Sequence, residues 1–420
     1  MAQRKIDALT GVRFIAAAMI LVHHASIFRV PVPPFALDHG VSLFFVLSGF
    51  ILSYVYPQLG SWSAIRRFLG FRAARIWPAH ATTAVIAAIV GVVSLGQPFD
   101  GLKFIANLLM VQAWIPMEPW YFSFNSLSWS ISTEFFFYLA FPFLIWHWRG
   151  TCWWKWLTAA GCVAALVFVA DRAHLIEYST EDVVTLNGLL YINPLARILE
   201  FVTGMVAYSA FAWLRPRAAG MGRGAGTMME LIVVILTGYF IVDTPAIQLA
   251  IRQLGGGTYL HWVVHTGSIF VFPALLVVLA LQQGVISRLL DSRIAVLLGE
   301  ISYSVYLVHY ILYSVYVRYW LLPGTAADYK GWALCVARNP DRRLRDLAVH
   351  RDTSAPRRKT TAQPAAGASS DRPRRTRKAP GGGSDGITSG IAFATASLVR
   401  GGLAVKTPRL AGSLSNRSDD

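Results

Sequence analysis

Charged residues are scarce in this chain: 14% of its 420 residues are charged, whereas 55% are hydrophobic. Soluble globular domains carry about 25% charged residues, so this composition argues against an ordinary soluble protein. Cysteine is rare too, and the three cysteines have neither metal-binding nor redox spacing (Cys152, Cys162 and Cys335). We therefore expect packing roles for the cysteines and predict no metal site.

Apolar segments long enough to cross about 30 Å of hydrocarbon recur through most of the chain. They predict an all-α polytopic membrane protein, with about nine spanning helices in one bundle. The predicted spans are 11–29, 39–57, 76–95, 127–148, 153–170, 194–214, 228–247, 262–282 and 294–320. A further apolar segment, 101–115, is too short to span comfortably, so we expect it to lie in the interface or to re-enter the membrane.

Basic residues mark alternate loops of this predicted topology. Lys and Arg are concentrated before the first span and after the second, fourth, sixth and eighth, while residues 171–192 are acidic. Because short cytosolic loops carry the excess of Lys and Arg, the pattern predicts a cytosolic amino terminus. No small-x-small cleavage site follows the first span, so we interpret it as a retained helix rather than a secretory signal.

The charge of the chain is concentrated at its end. Residues 338–420 carry 17 Lys and Arg but 7 Asp and Glu, which places most of the +16 net charge there. We predict a transmembrane bundle over 1–337 and a basic, low-complexity, disordered tail over 338–420. Attraction to anionic lipid headgroups is one interpretation of the tail, and the absence of any evolved role is another. We predict no nucleic-acid partner, because a polytopic membrane protein has little access to one.

The first span contains two ionisable side chains, Arg13 and His24. A charge in mid-bilayer costs several kcal/mol, so ionisable residues within a span are candidates for function. Eleven residues of helix make about three full turns, so both side chains leave one face, roughly 16 Å apart along the axis. This arrangement predicts a site that is reached from both sides of the membrane.

Two other spans carry ionisable groups at comparable depths. Glu134 in span four and His24 are both expected in the outer half of the bilayer, where a carboxylate would orient an imidazole and stabilise its protonated form. The alternative is a structural cluster of Glu134 with nearby serines. His309 in span nine either lines the same cavity as His24 or merely hydrogen-bonds a neighbouring helix.

Four arginines lie in a predicted loop at 61–80, on the cytosolic side: Arg66, Arg67, Arg72 and Arg75. Topology alone supplies some basic residues there. Arg72 and Arg75 are three residues apart and share a helix face, so their guanidinium groups would hold the phosphates of a soluble ligand. In span two, the small residues that include Ser42 are explained by close helix packing.

Five segments, taken in order, resemble the membrane acyltransferase-3 family, which includes O-antigen and other cell-surface polysaccharide O-acetylases. They are IDALTGVRFIAAAMILVHH, HGVSLFFVLSGFILSY, RRFLGFRAARIWPAH, NSLSWSISTEFFFYL and LLGEISYSVYLVHY. The resemblance covers residues 6 to about 335. No single motif is sufficient, but five in the same order are specific.

The resemblance implies a multi-pass O-acyltransferase of the bacterial inner membrane. Such an enzyme moves an acyl group, commonly acetyl, from cytosolic acyl-CoA to a hydroxyl of an extracytoplasmic glycan or lipid-linked sugar. His24, Glu134 and Arg13 are the catalytic residues that it implies. Acyl-CoA is expected as a co-substrate rather than a bound cofactor, held by Arg13, Arg72 and Arg75. Candidate substrate-binding residues are His309, Tyr303 and Ser42.

Competing interpretations of the polar spans remain open. His24 is expected to act as a general base on the acceptor hydroxyl, and a covalent acyl-His24 relay is the alternative. The rival class of protein is a proton-coupled small-solute transporter, in which the same His and Glu relay protons. Inverted repeats or paired broken helices would favour a transporter, and the sequence shows neither. A structural membrane subunit without chemistry is a third class.

The resemblance breaks off near residue 337. Members of the family usually finish with a tenth span and a short cytosolic basic motif. Here GTAADYKGWALCVA begins such a span, and NPDRRLRDLAVHRDTSAPRRK then interrupts it. We hypothesise a reading-frame change near Ala337, which would leave a long apolar helix encoded in the neighbouring frame of the source DNA.

Overall fold

The computed structural model describes residues 5–27, 35–253, 257–317 and 319, with the side chains of 245–253 left undescribed. Nine segments of the described residues are long and apolar enough to cross a membrane, which confirms the predicted all-α polytopic fold. The helices are α1 Asp7–Ile27, α2 Gly40–Val55, α3 Trp62–Ile89, α4 Gly101–Leu108, α5 Glu118–Tyr121, α6 Trp129–Ile145, α7 Trp148–Arg172, α8 Pro194–Ala218, α9 Arg223–Gln253, α10 Thr258–Thr266, α11 Phe272–Leu281, α12 Val285–Leu290 and α13 Arg293–Tyr316.

One predicted boundary is wrong, and some predictions lie outside the described residues. The segment 61–80 is a helix rather than a loop, because α3 begins at Trp62 and continues through Pro78. Ser61 caps this helix, since its hydroxyl accepts the N–H of Ala64 at 3.2 Å. The basic tail over 338–420, the incomplete tenth span and the proposed frame change fall outside the described residues.

The short apolar segment 101–115 does not cross the bundle. It forms the eight-residue helix α4, a turn at Met110 with a positive φ of 56°, and a 3-10 turn over Gln112–Trp114. Polar groups tie it to the start of α6: Ser128 donates to Asn107 Oδ1 at 2.9 Å, and Ser132 donates to the Met110 carbonyl at 2.6 Å. These bonds satisfy backbone and amide groups that hydrocarbon would otherwise leave unpaired.

α1 and α13 run side by side in the same direction, because their starts touch and their ends touch. A Cβ built on Gly299 would lie 1.9 Å from the carbonyl oxygen of Thr10, so the two backbones are in contact there. Lys5, just before α1, donates to Glu300 at 3.0 Å, and this bond raises the pKa of the lysine. We call this side of the bundle the arginine end, and the side on which α1 finishes near His24 the histidine end.

α2 and α8 make an equally close contact, which we call the glycine crossing (Gly49 and Gly204). A Cβ on either glycine would lie 1.9 Å from a backbone carbonyl oxygen of the other helix. Small residues of this kind let helices in membranes approach to backbone contact. Ser42 lies seven residues before Gly49, and Arg197 lies seven residues before Gly204. Arg197 donates a hydrogen bond to the hydroxyl of Ser42 at 3.1 Å. The crossing therefore sets the spacing of polar groups two turns away, toward the histidine end.

A buried carboxylate in α9 has a structural role. Glu230 is 1% exposed and accepts the backbone N–H groups of Gly284, Ile286 and Ser287 at 3.0, 2.8 and 3.2 Å. These donors lie at the start of α12, where helical N–H groups have no partner within the helix. An ionisable residue within a span is in this case a helix cap that joins α9 to α12.

The glycine crossing predicts a stability difference between two glycine substitutions. Gly204→Ala should destabilise the bundle by about 1–3 kcal/mol, because a methyl group cannot enter without separating α2 from α8. Gly161→Ala in α7 is the matched control, since nothing lies within 4 Å of a Cβ there and the residue is exposed. Thermal unfolding in detergent should show a loss for Gly204→Ala and no loss for Gly161→Ala; equal melting curves would contradict the packing argument.

Candidate active site

Three arginines gather around α1 at the arginine end, in what we call the arginine cluster (Arg13, Arg72 and Arg75). Arg13 interacts electrostatically with both of the others and with Glu134 and Tyr138 of α6. Arg72 is 8% exposed, and its guanidinium carbon lies 5.1 Å from the ring centroid of Tyr56. Its Nε is buried without a hydrogen-bond partner among the described residues. A buried guanidinium N–H without a partner favours an anionic ligand.

Glu134 belongs to the surroundings of the arginine cluster. Tyr138, one turn further along α6, donates a hydrogen bond to its carboxylate. The carboxylate is the negative charge that faces Arg13, and it also interacts electrostatically with Tyr303 of α13. Glu134 therefore partly balances the positive charge of the cluster, as a charge within the membrane requires.

A pair of histidines lies at the histidine end, and we call it the histidine pair (His24 and His309). Nδ1 of His24 is 3.0 Å from Nε2 of His309, and the rings stack with centroids 5.2 Å apart. His309 is 5% exposed, whereas His24 is partly exposed. Contact between α1 and α13 thus joins two residues that are 285 positions apart in the sequence.

The hydrogen bonds of the histidine pair determine which ring nitrogens carry protons. Nδ1 of His309 is 3.2 Å from the carbonyl oxygen of Val305, and a carbonyl can only accept. In a neutral ring the proton of His309 is then on Nδ1, so its Nε2 accepts from Nδ1–H of His24. Nε2 of His24 is left with a lone pair. The arrangement prepares His24 to accept a proton or to attack a carbonyl carbon.

Polar aromatic side chains connect the two ends along α13. Tyr303, Tyr306, His309 and Tyr313 follow one another at intervals of three and four residues, so they share a helix face. Tyr303 donates to the Ile76 carbonyl at 3.0 Å beside the arginine cluster. The rings of Tyr306 and Tyr313 contact His309 from either side, with centroids 5.9 and 5.7 Å away. Six residues of helix, about 9 Å, separate Tyr303 from His309.

Two predicted contacts involve other partners in the structure. The hydrogen bond of His24 is made with His309, and that of Glu134 is made with Tyr138, so the expected bond between Glu134 and His24 is replaced by these two. Ser42 is fully buried and donates to the backbone carbonyl of His265 at 3.2 Å. The predicted role of Ser42 in substrate binding stays a prediction, and in the structure its side chain is covered by its neighbours.

An ion pair within α8 was not predicted from the sequence. Arg197 Nε lies 2.9 Å from Glu200 Oε2, and both side chains are fully buried. Two opposite charges three residues apart in an apolar segment were a readable signal, because charges within a span are rare and are paired where they occur. The mean hydropathy of the segment, at 1.3, concealed them.

Asp38 and His265 form a second pair that the sequence did not indicate. Their side chains are 2.9 Å apart, and Asp38 lies just before α2 while His265 lies in α10. His39, the residue after Asp38, is fully buried. In the described part of the chain, no group of three or more His, Cys, Asp or Glu side chains is arranged to hold a metal ion.

Comparison with known proteins identifies the family. The family model described as an acyltransferase domain, Acyl_transf_3, matches residues 6–336. The acyltransferase MdmB of Streptomyces mycarofaciens is 30% identical in an alignment 366 positions long, which covers 79% of this chain and 85% of that protein. The exopolysaccharide production protein ExoZ of Rhizobium meliloti (strain 1021) is 28% identical over 290 residues, 69% of this chain and 80% of that protein. No solved structure matches the chain.

The match to the family model covers most of the chain, including both the arginine cluster and the histidine pair. The nine apolar segments place the protein in a membrane as a multi-pass protein. An enzyme of this class transfers acyl groups other than aminoacyl groups, which sets aside the transporter and the structural subunit. The chain belongs to the membrane acyltransferase-3 family.

Proposed function

We propose that this protein transfers an acyl group, acetyl by preference, from cytosolic acyl-CoA to a hydroxyl of an extracytoplasmic glycan or lipid-linked sugar. One observation carries the proposal: a cluster of cations and a hydrogen-bonded imidazole lie at opposite ends of the same two helices, α1 and α13. The similarity to ExoZ, which is named as an exopolysaccharide production protein, supports a glycan as acceptor. The excess of Lys and Arg near the arginine end supports a cytosolic position for that end.

The arginine cluster is the proposed binding site for the phosphates of acyl-CoA. Guanidinium groups bind phosphate oxygens with two parallel hydrogen bonds, and the buried Nε of Arg72 is a donor suited to that geometry. Arg13 interacts electrostatically with Arg72, Arg75 and Glu134, and in this proposal it faces the part of the donor that enters the membrane. The pantetheine arm would then extend along the polar aromatic face of α13 toward the histidine pair. The span from Arg13 to His24 is roughly 16 Å, which is within reach of an extended arm.

The chemical step uses the lone pair on Nε2 of His24. As the acceptor oxygen attacks the thioester carbonyl carbon, its proton passes to Nε2. A carbon–oxygen bond forms, the carbon–sulfur bond breaks, and the CoA thiolate leaves with the electron pair. The proton on His24 then neutralises that thiolate, so the enzyme returns to its starting state. Direct transfer of this kind requires no acyl-enzyme intermediate.

His309 acts in this scheme as a positioning residue. Its Nε2 accepts from Nδ1 of His24, which holds the reacting ring in one tautomer and one orientation. The hydrogen bond from Nδ1 of His309 to the Val305 carbonyl fixes the His309 ring on the α13 backbone, and this in turn restricts the orientation of the His24 ring. Glu134 is assigned to the arginine cluster, where it maintains the geometry of Arg13.

Removal of the general base tests the chemical step. His24→Ala should lower transfer of labelled acetyl from acetyl-CoA to the glycan fraction of envelope membranes by about 10²–10⁴-fold, the usual contribution of a positioned base. Acetyl-CoA binding and the melting temperature should remain those of the wild type. His174→Asn, which changes an exposed histidine with a positive φ, is the control and should leave transfer unchanged. Wild-type transfer by His24→Ala would refute the assignment.

The tautomer argument predicts unequal effects of two substitutions at His309. His309→Gln provides an amide oxygen that accepts from Nδ1 of His24, so its kcat should stay within about tenfold of wild type. His309→Leu cannot accept and should lose about a hundredfold or more. The KM for acetyl-CoA should not change in either variant. Equal losses in both variants would show that His309 serves packing alone.

The donor site predicts a separate effect on KM. Arg72→Gln should raise the KM for acetyl-CoA by about tenfold or more, because a charged hydrogen bond to phosphate is lost. Arg67→Gln changes an exposed arginine of the same helix and should have a smaller effect. Steady-state kinetics on detergent-purified protein provide the comparison. If both variants matched the wild type, phosphate binding by this cluster would be excluded.

A further inference from the structure

A second polar cluster lies at the histidine end, outside the histidine pair, and we call it the Asp38 cluster (Asp38, Ser42, Tyr191, Arg197 and His265). Asp38 Oδ2 and His265 Nδ1 are 2.9 Å apart, and their side chains are 17% and 25% exposed. The ring of Tyr191, also partly exposed, is 4.9 Å from that of His265. The cluster therefore presents a carboxylate, an imidazole and an aromatic ring together.

The base of the Asp38 cluster is rigid. Arg197 donates to Ser42 at 3.1 Å, Ser42 donates to the His265 carbonyl at 3.2 Å, and the guanidinium lies 4.7 Å from the Tyr191 centroid. Glu200 balances the charge of Arg197 within α8, so this cation is not the main partner of Asp38. Both charges of the ion pair are fully buried, so it forms a fixed support beneath Ser42 and Tyr191.

The Asp38 cluster lies beside the histidine pair. A Cβ on Gly40 would be 2.6 Å from the Ala16 carbonyl oxygen and 2.9 Å from the side chain of Ile20, so the start of α2 packs directly on α1. Asp38 precedes Gly40 by two residues and His24 follows Ile20 by one turn, so both project further toward the same end. Asp38 is accordingly the carboxylate that acts electrostatically on His24.

We propose that Asp38 and His265 bind the acceptor, and that the acceptor is a sugar whose hydroxyls lie next to the one that is acylated. This inference rests on the proposed function and assigns the substrate side of the same site. A carboxylate and an imidazole accept hydrogen bonds from neighbouring hydroxyls of a sugar, and the Tyr191 ring contacts its apolar face. An acceptor without hydroxyls would leave Asp38 with lost hydrogen bonds, so the cluster selects a polyol over an apolar alcohol.

The test separates acceptor binding from donor binding in the purified full-length protein. One measurement is equilibrium binding of radiolabelled acetyl-CoA. The other is transfer of that label to glycans of envelope membranes from a strain lacking the gene, as a function of membrane concentration. For Asp38→Asn we expect acetyl-CoA binding within about twofold of wild type and transfer reduced about tenfold or more, with partial recovery at high membrane concentration.

Three further variants test the role of the Tyr191 ring and provide a control. Tyr191→Leu removes the ring and should raise the acceptor concentration required for half-maximal transfer more than Tyr191→Phe, which retains the ring. Asp171→Asn is the matched control, because Asp171 also accepts from α10, through Thr258 at 2.9 Å, but lies outside the cluster. It should leave both measurements unchanged.

The outcomes distinguish the two proposals. Wild-type transfer by Asp38→Asn, or loss of acetyl-CoA binding together with transfer, would overturn the assignment of the acceptor site. If Tyr191→Phe and Tyr191→Leu required the same acceptor concentration, the aromatic ring would not be part of the acceptor site. A wild-type protein that neither binds nor transfers acetyl from acetyl-CoA would instead contradict the proposed function itself.

Discussion

Backbone contact between α1 and α13 is the constraint on which the candidate site depends. The carbonyl of Thr10 lies against Gly299, and no side chain fits between them. Because the two helices start together and run in the same direction, their ends bring His24 to His309. The polar aromatic face of α13 is thereby turned toward the arginine cluster at one end and the histidine pair at the other. A backbone contact made possible by one glycine thus holds together the helices that carry the histidine pair.

Several charges in the described part of the bundle are balanced by a nearby group, since hydrocarbon provides no water to solvate them. Glu134 faces Arg13, Glu200 pairs with Arg197, and Glu230 caps α12. The last two are closed within the protein and have structural roles. The exceptions are the buried Nε of Arg72 and the partly exposed pair of Asp38 and His265. Groups that retain hydrogen-bonding capacity lie where the proposed donor and acceptor enter, so the polar groups divide into supporting and binding sets.

Much of the architecture was readable from hydropathy, because spanning helices must be long and apolar. Helical geometry also placed Arg13 and His24 on one face before any contact was known. The partners of these residues were not readable: His309 is 285 positions from His24, and His265 is 227 positions from Asp38. Such pairs arise from tertiary packing, which no local periodicity encodes. The ion pair of Arg197 and Glu200 is different, since its spacing in α8 was a local signal that averaged hydropathy concealed.

The glycine crossing has a mechanical consequence for specificity. Gly49 and Gly204 act as a fulcrum, and Ser42 and Arg197 lie two turns away on the two arms, about 10 Å from the pivot. A tilt of a few degrees at the pivot is therefore amplified into a displacement at the far end of each arm. If the Asp38 cluster binds the acceptor as proposed, relatives that differ in helix residues around the pivot, and in no residue of the cluster, would still differ in the acceptor that they select.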